Sequence, residues 1–197
     1  MDNLTISREN ALAAYDNADA NGRELLEHLF GKDLFVKKDI FQRVKTFEDA
    51  CNELSRMAER GDETAADILA DYETNSDNIL VKQTLAMMKL NIITYALNEG
   101  WEPKFEIGEV RYYPCFNCYT QSVINVMSAE EKRRVFVRAS HDSNEYAGFA
   151  LEDAYRATSC RIDSDGYRLG FKTRKLAVYA ARQFVELYAD FVFPEKV

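Results

Sequence analysis

At 197 residues, with 47% hydrophobic and 29% charged side chains, the chain has the length and composition of one globular domain whose core closes without disulfides or metal. A net charge of −8 repels phosphate backbones, so nucleic-acid binding would have to be local. The charge is uneven: residues 1–100 carry 11 Lys and Arg against 19 Asp and Glu, while residues 101–197 carry 14 of each and 17 of the 24 aromatics.

The helical reading begins with Ser7, which is placed to cap a helix running through Ala11, Leu12 and Tyr15. Asp19 is placed to cap another, carrying Leu25, Leu26 and Leu29 and ended by Gly31. Thr46 to Asp49 forms a capping-box pattern, opening a helix with Phe47, Ala50, Cys51 and Leu54 on one face. Asp62 precedes a short helix with Ala65, Ile68, Leu69 and Tyr72 inward. The longest helix is expected over about Asp77 to Glu99, with Gly100 beyond its end. Leu85, Met88, Ile92 and Ala96 surround most of it, as in a central core helix. Lys82, Gln83, Lys89 and Asn91 interrupt its apolar stretch, which argues against a membrane span.

After Gly100 the pattern changes. Val110 to Tyr119 is rich in β-branched and aromatic residues and predicts a strand. Ser128 to Glu131 is a second capping box, opening a short helix before Arg133 and Arg134, and residues 139–148 are loop-like. Strands are expected at Phe149 to Ile162 and Tyr167 to Lys172, joined by a turn at Asp163 to Gly166. Thr173 caps a last helix, whose stripe of Leu176, Ala177, Ala180, Phe184, Leu187, Tyr188 and Phe191 needs a surface to cover. The expected fold class is therefore α+β: a helical N-terminal half, then an antiparallel sheet of about three strands packed by the C-terminal helix and the long one. The domain reading is a single domain over 1–197, with a helical subregion 1–60 and a core 61–197.

Few motifs point to chemistry. Cys115 and Cys118 form a CxxC pair, but two thiols are half of a zinc site, and positions three apart on a strand face opposite sides. They are incomplete metal candidates, and no cofactor is expected. Redox pairs occupy helix N-termini, unlike this one. His141, Asp142 and Ser143 are adjacent in one loop and cannot form a triad among themselves. His28 falls on the polar flank of a helix. Asp163-x-Asp165-Gly166 departs from a calcium loop because position 174 is Arg174 where a glutamate is required.

The remaining pattern is basic residues among the late aromatics. Arg133, Arg134, Arg138, Arg168, Lys172, Arg174 and Lys175 accompany Tyr112, Tyr167 and Phe171. If some share one sheet face, that face could stack bases or hold a phosphorylated small molecule. Otherwise the aromatics fill the core and the basic groups pair with local acids. No Walker loop, GxGxxG, HExxH or GxSxG is present. The N-terminal MDNLTISREN lacks the pattern of a signal peptide, so Cys51, Cys115, Cys118 and Cys160 are expected as free thiols in a reducing cytoplasm.

Several stretches carry a resemblance: ALAAYDNADANGRELLEHLFGKD, VKTFEDACNEL, ITYALNEGWEPKF, VRYYPCF and RLGFKTRKLAVYAARQFVELYADF. Over most of its length the chain resembles a family of uncharacterised proteins from Bacteroides-type gut bacteria and their phages or prophages. The resemblance implies a mobile-element setting, in the cytoplasm of a bacterial host or in association with a virion, and carries no catalytic residues. A YYPYF-like segment in that family corresponds to Tyr112-Tyr113-Pro114-Cys115-Phe116 here, which counts against Cys115 as a metal ligand. The resulting expectation is a non-enzymatic binding or structural accessory protein, phage-associated, with no membrane role. Its partner would be another protein or a second copy, with Trp101 as an anchor. Nucleic-acid or nucleotide binding by Tyr112, Tyr167, Phe171, Arg133, Arg134 and Arg168 is the alternative, and an enzyme without a readable motif comes third.

Overall fold

The computed structural model describes residues 6–36, 39–79, 81–104, 106–137, 146–158 and 169–193. The chain forms two compact units, Met1–Asp39 and Ile40–Val197. The division thus falls at Asp39, and residues 40–60, grouped above with the helical N-terminus, belong to the larger unit.

The first unit contains α1 (Arg8–Asn17), α2 (Ala20–Phe30) and α3 (Lys32–Phe35). Ser7 Oγ accepts the Asn10 amide at 3.2 Å, and the Asp19 carboxylate accepts that of Gly22 at 2.8 Å. Each side chain satisfies an amide that the first turn leaves without a partner. Gly31, with φ of 83°, ends α2 in a conformation that would strain other residues. Tyr15 ties the unit together: its ring stacks on Phe35 at 4.2 Å and its hydroxyl donates to Glu27 at 2.6 Å. That hydrogen bond, before any other influence, holds the Glu27 carboxyl below the usual carboxylate range.

The larger unit begins with α4 (Ile40–Arg43), α5 (Phe47–Glu59) and α6 (Glu63–Asn75), then a 3-10 turn at Ser76–Asn78 and α7 (Lys82–Asn98). The capping box of α5 is formed, with Thr46 Oγ1 accepting the Asp49 amide and Asp49 accepting that of Thr46. The long helix starts at Lys82, later than the pattern suggested, because the 3-10 turn takes up Ser76–Asn78. Its C-terminal half is buried continuously from Ile92 to Asn98. Glu99 terminates it in the left-handed region, φ 52° and ψ 47°, a conformation that costs a non-glycine residue about 1 kcal/mol.

Next come β1 (Val110–Thr120), α8 (Gln121–Val126), α9 (Ala129–Lys132), β2 (Phe136–Val137) and β3 (Tyr146–Thr158). The last described elements are α10 (Arg174–Gln183) and α11 (Val185–Val192). The sheet is antiparallel in the order β1-β3-β2. Among the described residues its third strand is Phe136–Val137, and the described part of the expected strand Tyr167 to Lys172 contributes one isolated bridge, at Phe171. Within that expected strand, Tyr167 and Arg168 lie outside the described residues, as does the Asp163 to Gly166 turn. Phe171 does pair, with β1 and not with β3: the amides and carbonyls of Tyr112 and Phe171 exchange two hydrogen bonds of 2.9 Å. The last helix is interrupted at Phe184, φ −116° and ψ 33°, giving α10 against β1 and β3 and α11 against α7.

The core lies between the sheet and these helices. Phe149 is fully buried and packs edge-on against Phe116, with ring centroids 4.7 Å apart, and against Phe136 and Phe193. At the C-terminal end of α7, buried Asn98 donates to the Gly170 carbonyl at 2.8 Å and accepts the Lys172 amide at 3.0 Å. These bonds fix the segment that carries Phe171 to β1. Beside it runs a chain of charges. Arg56 and Arg43 both pair with buried Glu53, Arg43 also with Glu99 at 2.6 Å, and Lys172 with Glu99 at 3.5 Å.

Candidate functional site

Strand alternation divides β1 into two faces. Tyr112 and Phe116 pack on the core, as do Leu151 and Ala154 of β3. The residues between them, Tyr113 and Cys115 of β1 and Tyr155 of β3, project from the opposite, outer face. Tyr113 and Tyr155 are directly opposed in the register, and Tyr155 is 61% exposed. Adjacent to them the register shifts: Cys115 faces Asp153 and Phe116 faces Leu151, so Glu152 is an extra residue in β3. The bulge sends Glu152 to the outer face as well, where its carboxylate is 3.9 Å from Cys115 Sγ. Desolvation, and then the negative charge of Glu152, push the Cys115 thiol above the ordinary thiol range. Asp153 is engaged differently, by Arg174 at the start of α10; the Ala154 amide, which donates to it at 2.7 Å, and then that guanidinium hold its carboxyl low. At the far end of this face α8 packs over Gly148, where a Cβ would meet the Phe136 carbonyl oxygen at 2.7 Å and Ile124 at 3.1 Å.

Among the described residues, those singled out from the sequence lie in separate places. Phe171 is fully buried and Tyr112 packs on the core, so neither offers a stacking surface; by alternation the adjacent Tyr113 lies on the other face, half-buried, with its ring over Gly170. Arg133 and Arg134 are exposed after α9, and Arg134 pairs with Glu130 at 2.9 Å. They precede Phe136, which pairs with Phe149, itself opposite Cys118. Six residues of strand, about 20 Å, separate Cys118 from Tyr112, so among the described residues Arg133 and Arg134 do not share a face with Tyr112 and Phe171. Lys172 is bound to the Asn98 carbonyl at 2.8 Å, and the Lys175 ammonium lies 4.5 Å from the Phe41 ring centroid. Trp101 is half-buried and lines a water-sized recess with Thr94, Asn98 and Gly170. His28 is exposed on α2. His141, Asp142, Ser143, Arg138 and Cys160 lie outside the described residues, as do Tyr167 and Arg168.

Cys115 and Cys118 sit on opposite faces of β1 by the same alternation, and Cys118 is exposed. Among the described residues, no group of three or more His, Cys, Asp and Glu side chains is placed to hold a metal ion. Nor is any described helix long and apolar enough to cross a membrane.

Sequence reasoning missed Tyr113, Glu152 and Tyr155. The signal available was alternation: of two adjacent tyrosines in a half-buried strand, one must face outward. No protein-family model, curated protein or solved structure matches the chain.

Proposed function

We propose that this chain is a non-enzymatic protein-binding accessory, of phage or mobile-element origin, that takes its partner on the outer face of the sheet. The observation that carries the reading is Tyr155, 61% exposed and directly across from Tyr113 on the face turned away from the core. Tyrosines supply large, rigid contact area at low conformational cost and are enriched where proteins bind each other. The bacterial or phage origin rests on the resemblance of the sequence stretches alone. Immobilised protein and its Tyr155→Ala variant, matched in thermal unfolding, are compared for the proteins each retains from bacterial host extract. A partner held by the parent and released by the variant is expected. Equal retention by both would overturn the reading. So would turnover of a substrate, or binding of single-stranded nucleic acid that weakens steeply with salt.

A further inference from the structure

We draw no further inference here: the strongest candidate, the apolar surface patch that Leu25 and Leu29 form one turn apart on α2 of the first unit, carries nothing because nothing in the structure shows what covers it.

Discussion

The charge chain beside α7 allows a quantitative test of what holds the larger unit together. The Glu53 side chain is 4% exposed and that of Arg43 is 12% exposed. Arg43→Met strands the Glu53 carboxylate with Arg56, whose side chain is 56% exposed and solvated. Breaking a buried pair costs about 3–5 kcal/mol, and the remaining Arg56 places this case near the lower end, about 3 kcal/mol. Glu53→Leu leaves Arg43 its second partner, Glu99 at 2.6 Å, and should cost less, about 2 kcal/mol. The double variant removes both buried charges at roughly constant volume and should cost about 2 kcal/mol, so the two residues couple by about 3 kcal/mol. Urea unfolding followed by the fluorescence of Trp101, the single tryptophan, reports on this unit. Additive costs, with coupling below about 0.5 kcal/mol, would mean that water reaches the carboxylate and would refute the reasoning.

Other expectations follow from single positions. Gly148→Ala should destabilise the unit by about 1–3 kcal/mol, since the added carbon meets the Phe136 carbonyl oxygen at 2.7 Å; an unchanged urea midpoint would contradict this. Thr46→Ala should cost about 1 kcal/mol by removing the α5 cap, with Thr46→Ser restoring most of it in the same assay. Tyr95 is pushed up from 10 to about 12 by burial and by its hydrogen bond to Asp62 at 2.9 Å. The folded pKa is the higher, so this stabilisation is complete below pH 10 and is lost as pH rises through 12. The stability gap between the parent and Tyr95→Phe should therefore narrow over that window, and a gap constant across it would count against the assignment. Cys118 is exposed and should be alkylated faster than half-buried Cys115, read by peptide mass mapping; equal rates would place Cys115 in solvent.

By itself the sequence determined the features whose partners lie within one turn of the chain. Ser7, Asp19, Thr46, Asp62, Ser128 and Thr173 each accept an amide three residues on, as their spacing indicated, because a cap bond is closed by neighbours in sequence. The α+β class and the strand Val110–Thr120 were legible for a related reason: periodicity and β-branched composition are local properties. Features that depend on distant partners were not legible. Phe136–Val137 has two residues, too few to show a period, and is a strand because Phe149 and Gly148 lie beside it. Phe171 read as the second arm of a hairpin, yet Asn98 holds the backbone around it through Gly170 and Lys172, where it pairs with β1. The candidate site turned on the same kind of decision. Alternation required one of Tyr112 and Tyr113 to face outward, but only the packing of α10 on one side of the sheet chose Tyr113. Only the offset between β1 and β3 put Glu152 beside Cys115, because strand register is set by pairing between segments far apart in the chain.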